Sequence, residues 1–278
     1  MTTLEIIPRP RRVIIALDPE AQCSSALEAA ARIAAQRGAE LVGLFVEDSA
    51  LIDAAALPMT RNIRRSGAAE EAVDARRVEQ GLRVWAARAE AMLKTAAARW
   101  RVRSSFRVTR GDVAERLLAE AGDCELLALG TVGRRSAGAR IGGTARRIAA
   151  GAKCSVMVMR CEGLRHRPVI VLYEGAARSL AMGAELADMH GCPLEVLAVG
   201  ADAADAMTAE ATAADWLAAH DVAATVHGHP GHQAQAIYAL LSERSPNAII
   251  VDRRGALGRL IDVAEALERP TASVFVVG

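Results

Sequence analysis

Aromatic side chains are scarce here: three Phe, two Tyr and three Trp in 278 residues. That is too few to line a strip on which successive bases of a nucleic acid could stack. An excess of charge is also missing. Lys and Arg total 34 against 33 Asp and Glu, a net +1, so nothing draws the whole chain to a polyanion and no nucleic-acid partner is expected. There is no run of about 18 uncharged apolar residues, which argues against a membrane span. The segment Met1 to Arg12 has no apolar stretch ahead of a cleavage site and is expected to be a short tail before a strand. The five cysteines (Cys23, Cys124, Cys154, Cys161, Cys192) are odd in number, dispersed and without a CxxC. They fit buried thiols in a reducing cytoplasm better than a disulfide or zinc framework. No histidine precedes His166, so the amino-terminal half offers no imidazole as a general base.

What the chain does have is apolar residues, 52% of the total and many of them alanine, enough for a sizeable core rich in helix. Arg12 to Leu17 is a continuous apolar run of strand length, suited to a parallel sheet covered on both faces. A helix is expected from Ser24 or Ser25 to Arg37, with Gly38 ending it. Further strands are expected at Leu41–Val46, Arg101–Val108, Leu126–Leu129 and Ser155–Met159. A polar, irregular stretch from Glu47 to about Gly67 precedes a long helix from about Glu70 to Arg99. Strands alternating with helices in this way define an α/β unit with a mostly parallel sheet.

The same order recurs after the polar segment Cys161 to Arg167. Strands are expected at Pro168–Tyr173, Leu194–Val199, Ala223–His227, Ala248–Val251 and Ser273–Val277, with helices between them. Leu126-Leu127-Ala128-Leu129 corresponds to Ala248-Ile249-Ile250-Val251, and Ser155-Val156-Met157-Val158 to Ser273-Val274-Phe275-Val276. Two domains are therefore expected, 10–160 and 167–278, against the alternative of one long α/β domain.

The most informative segment is Gly130-Thr131-Val132-Gly133, then nine residues, then Gly143-Thr144. It follows an apolar strand and leads into a helix. Glycine lets the backbone come close to an anion, and the N–H groups at a helix N-terminus attract negative charge. The spacing is neither GxxxxGK[ST] nor GxGxxG. The alternative is a glycine loop without a ligand.

The pattern G-x2-G-x9-G-[ST] resembles the nucleotide loop of the universal stress protein family. With the order of elements, the likeness extends over nearly all of the chain after about residue 10, in the form of a tandem. It implies two doubly wound, mostly parallel five-stranded sheets of Rossmann-like, adenine nucleotide alpha hydrolase-like type. It implies an adenine nucleotide, ATP together with Mg²⁺, across the carboxyl ends of the strands, where open α/β sheets place ligands. Carried over residue by residue, the family's contacts fall on Ala16 and Asp18 at the end of the first strand, with Asp18 on the ribose. Val46 would meet adenine through its backbone. Leu129 and Gly130 would flank the adenosine, Gly133 would admit the backbone near ribose and phosphate, and Gly143, Thr144 and Ala145 would hold phosphate. The alternative for Asp18 is that it opens a turn with Pro19. Arg134, Arg135, Arg146 and Arg147 surround the loop, either as phosphate partners or as solvated surface. Thr60 to Arg65 is either a lid or disordered.

The second half departs from the pattern. Asp252 stands where Gly130 stands and Gly255 where Gly133 stands, while the later Gly-Thr pair has no counterpart. Gly130 to Ser155 spans 25 positions and Asp252 to Ser273 spans 21. Tyr173-Glu174 replaces Asp18. One nucleotide site is therefore expected, in the first repeat, with the second repeat as packing partner. The resemblance further implies a bacterial, cytoplasmic regulatory protein, a pseudo-dimer within one chain and further self-association. Rival readings are an interaction protein with a vestigial loop, or a slow ATPase; no catalytic residue stands out. His227, His229 and His232 form a cluster that could hold a metal, mimic the HxGH of nucleotidyltransferases, or simply be a solvated turn.

Overall fold

The computed structural model describes residues 11–17, 24–56, 61–62, 71–72, 75–130, 143–159, 167–260 and 272–278. They fall into two compact units. One is built from residues up to 127 apart from 23–26, the other from 23–26 and 128 onward.

In the first unit, β1 (Arg12–Ala16), β2 (Glu40–Asp48) and β5 (Ser104–Gly111) are parallel, with Ala16 opposite Leu44 and Val46 opposite Thr109. Val13, Ile14 and Ile15 are all buried, as a strand covered on both faces requires. Between β1 and β2 runs α1 (Ser24–Gln36), closed by Gly38 at φ +60°. Between β2 and β5 lie α2 (Ser49–Ala56), the two-residue antiparallel strands β3 (Arg61–Asn62) and β4 (Glu71–Ala72), and α3 (Ala75–Trp100). The irregular stretch expected from Glu47 therefore contains a helix. Asp48, just before it, caps it by accepting the Ala50 N–H at 2.9 Å, and Ile52 packs on the cluster of Phe45, Leu82, Ala86 and Ala89. After β5, Asp112 caps α4 (Val113–Glu120) by accepting from the Glu115 N–H at 2.9 Å.

The second unit contains β6 (Leu126–Gly130) from Ala128 onward, α5 (Gly143–Gly151) and β7 (Ser155–Met159). It continues with β8 (Val169–Tyr173), α6 (Ala177–His190), β9 (Leu194–Gly200), α7 (Ala203–Ala219) and β10 (Thr225–Pro230). Last come α8 (Ala234–Arg244), β11 (Ala248–Asp252), α9 (Ala256–Leu260) and β12 (Ser273–Val277). Its sheet runs β10-β9-β8-β11-β12-β7-β6. The strands from β10 to β12 are parallel to one another, and β12 meets β7 antiparallel, Phe275 opposite Met157. The strand expected at Ala223–His227 begins and ends later, and it takes in Pro230. An edge strand tolerates that proline because its outer side needs no ladder donor.

The chain order reverses between β8 and β11, so their carboxyl ends form the switch point of this sheet. Gly200 fixes the next strand's carboxyl end against α7. A Cβ there would overlap the Ala206 backbone nitrogen and lie 2.5 Å from the Asp205 carbonyl carbon. Gly200→Ala is expected to lower stability by about 2–3 kcal/mol, read as the urea midpoint at unchanged m.

Candidate functional site

The residues expected to bind nucleotide stand in two groups, one toward the carboxyl ends of the parallel strands β1 and β2, the other at the end of β6 and the start of α5. In the first unit, Ala16 is the last residue of β1 and is half-buried; Val46, also half-buried, lies three residues from the position after β2. In the second, Leu129 is buried and Gly130 half-buried at the end of β6. Gly143, Thr144 and Ala145 are the first three residues of α5. Asp18 and Gly133 lie outside the described residues, as do Arg134 and Arg135.

The start of α5 has the chemistry of an anion holder. Gly143 and Thr144 are exposed, and the first turn carries no acidic residue. Among the described residues nothing lies within 4 Å of where a Cβ on Gly143 would stand. The N–H groups of this turn have no intrahelical acceptor, and the helix dipole points its positive end at them. Arg146 and Arg147 are exposed one position further along.

The turn after β11, which the sequence aligns with the loop after β6, is built in the opposite sense. Glu174 follows β8, and its side chain is only 8% exposed. Its two carboxylate oxygens accept the Leu257 N–H at the start of α9, at 3.2 and 3.1 Å. His232 Nε2 lies 3.2 Å from the same carboxylate. A Cβ on Gly255 would strike that carboxylate, so the chain passes directly over it. Asp252, 4% exposed, takes Nη2 of Arg178 on both oxygens at 2.6 and 2.8 Å, and the Arg254 N–H at 2.9 Å. The protein's own carboxylates therefore occupy the backbone donors at this switch point.

Next to them sits Arg253. Its Nη1 donates to the carbonyl of Ala152, just past α5. Burial pushes this guanidinium below its ordinary value, while Cys154 and Asp252 pull the other way.

His227 and His229 lie on β10 and His232 beyond it, and among the described residues no three His, Cys, Asp or Glu gather in a way that could hold a metal. No helix among them is long and apolar enough to cross a membrane. Sequence reasoning saw Asp252 and Glu174 as departures from the first half. It missed the partners, Arg178 and the N–H of Leu257, because neither pairing has a sequence signal: 74 and 83 positions separate the partners.

The geometry thus defines an α/β protein in which the start of α5 is exposed and the turn after β11 is filled from within. The chain belongs to the universal stress protein family, whose model matches residues 10–160. No curated protein matches it. Among solved structures it is similar to a functionally unknown protein from Pseudomonas aeruginosa PAO1. That match has 15% identity and a TM-score of 0.57, over 97% of this chain and 92% of that one. It is similar also to a candidate universal stress protein from P. aeruginosa UCBPP-PA14, with 16% identity and a TM-score of 0.53 over 97% and 93%. The cytoplasmic domain of a prokaryotic cation chloride cotransporter has the same fold at 11% identity and a TM-score of 0.52, over 96% and 94%. At such identities the likeness is one of fold.

Proposed function

We propose that this chain is a tandem universal stress protein, with repeats at 10–160 and 167–278, that binds one adenine nucleotide in its first repeat. The nucleotide is ATP with Mg²⁺, and it acts as a regulatory ligand in the cytoplasm rather than a substrate turned over. The carrying observation is the contrast between two helix starts. That of α5 is exposed and free of acidic residues. That of α9 already has the Glu174 carboxylate on the Leu257 N–H. An anion from outside has donors to meet at the first and a competing charge at the second.

In this reading Asp18 takes the ribose, Ala16, Val46 and Leu129 line the adenosine, and Gly130 and Gly133 let the backbone approach. Gly143, Thr144 and Ala145 take the phosphates. Mg²⁺ would be held by the triphosphate oxygens. A regulatory role is supported by the placement of every histidine at or after position 166. Water attack on the γ-phosphate would need a positioned base. The antiparallel pairing of β7 with β12 supports a pseudo-dimer, since it joins the last strand of each repeat.

Titration calorimetry of the full chain with Mg-ATP is expected to give a stoichiometry of one. Two equivalent nucleotides per chain would contradict the assignment. No heat or displacement at millimolar ATP would leave an interaction protein with a vestigial loop.

A further inference from the structure

The turn after β11 reaches beyond its own strands. Arg253 is held at both ends: its backbone N–H donates to the Val277 carbonyl of β12 at 2.9 Å, and its Nη1 donates to the Ala152 carbonyl behind α5. Helix α5 has nine residues and no basic side chain in its last turn. The final carbonyls of a helix lack intrahelical donors, and the negative end of the dipole lies there. Arg253 brings the missing cation from 101 positions further along the chain. The arrangement is costly for the arginine itself. Its Nε and Nη2 are enclosed with no hydrogen-bond partner among the described residues. Two unmet donors on a guanidinium argue against a role confined to its own stability.

We propose that Arg253 is a positioning residue for the nucleotide: it anchors the carboxyl end of α5 so that Gly143, Thr144 and Ala145 are pre-set to receive phosphate. The inference rests on the nucleotide reading above. A helix of nine residues does not sustain itself in water, so its frame has to come from packing and its caps. With the carboxyl end clamped, the N–H groups at the other end keep one direction before the ligand arrives. With it loose, binding must also order the helix, and affinity falls by that cost. The degenerate second loop then serves the first repeat. Its own donors are filled, and its arginine steadies the helix that the other repeat uses.

The test measures equilibrium binding of ATP and of adenosine to the full-length wild type, Arg253→Met and Arg253→Lys. Methionine keeps the length and apolar stem but neither the charge nor the donors. Arg253→Met is expected to bind ATP about tenfold more weakly, with adenosine changed by less than about twofold, because only the phosphate end meets α5. Arg253→Lys, which keeps a charge and one donor, is expected to lose about threefold for ATP. If Arg253→Met has no cooperative thermal transition, the lysine variant decides alone. ATP affinity at the wild-type value, or parallel losses for ATP and adenosine, would overturn the inference. A wild type that binds no ATP would overturn the nucleotide reading, and this inference with it.

Discussion

Gly143→Asp is expected to abolish ATP binding while leaving the fold intact. No described atom lies within 4 Å of the new Cβ, and no positive φ is recorded at Gly143, so the aspartate has room and an ordinary backbone. Its carboxylate would stand at the first residue of α5, within reach of the N–H groups proposed for phosphate. Two effects then act together. The carboxylate takes the donors, as Glu174 does at α9. It also repels the phosphates. One unit of charge about 5 Å away at an effective dielectric near 20 is worth about 3 kcal/mol, and a triphosphate carries several. A loss of roughly a hundredfold or more follows. Helix stability should not fall, because an acidic residue in a first turn is favourable. The measurement is the ATP dissociation constant beside the thermal midpoint. Binding within about threefold of wild type would remove α5 from the site.

That substitution would give the first repeat the property that the second already has. On the proposed reading the two loops differ in which anion the backbone donors would meet. In the second, the anion is covalently part of the chain. Its effective concentration is high, so an external nucleotide would have to displace it. The shortening by four residues fits this. A loop that need not wrap a triphosphate can run directly from β11 into α9, with the Gly255 N–H donating to the Asp252 carbonyl at 3.2 Å.

The buried strands were legible because each is a short apolar run bounded by turn residues, whereas the polar β5, expected at Arg101–Val108, and β10, expected at Ala223–His227, begin and end two to three residues later. Val169 to Tyr173 and Ser273 to Val277 are buried throughout, and such runs fit a covered parallel sheet. A helix end marked by glycine was also legible, with Gly38 at φ +60° closing α1. Helix α2 was not. Its eight residues, Ser-Ala-Leu-Ile-Asp-Ala-Ala-Ala, are too few to show a periodicity, and the packing of Ile52 decides the outcome. Among candidate site residues, the glycine loop had a spacing that could be read directly. Glu174 could be read only as something other than Asp18. That it sits on α9 depends on how β8 and α9 meet in three dimensions. The clamp from Arg253 to Ala152 was beyond sequence reasoning for the same reason: a side chain and a helix end 101 positions apart share no pattern.

Arg178→Met is expected to be the most destabilising single change at the filled switch point. Asp252 is 4% exposed and takes two contacts from the Nη2 of Arg178, at 2.6 and 2.8 Å. Removing the guanidinium leaves a buried carboxylate with the Arg254 N–H, at 2.9 Å, as the remaining donor the structure gives it. Breaking a buried pair from one side costs about 3–5 kcal/mol, since the charge that remains has lost its solvent and its partner. Arg178 is itself 35% exposed, so water can reach in after it, and the lower figure, about 3 kcal/mol, applies here. If that account is right, the loss belongs to the stranded charge and not to the missing arginine. Arg178→Met combined with Asp252→Asn should then recover much of the stability, about half or more, despite being the larger change. Urea unfolding of the two single variants and the double closes the cycle. Additive losses would mean that the pair is incidental. Because Glu174 still covers the Leu257 N–H, none of the three variants is expected to raise the ATP stoichiometry above one. A second bound nucleotide in Arg178→Met would instead assign the closure of this edge to the ion pair rather than to the carboxylate on α9.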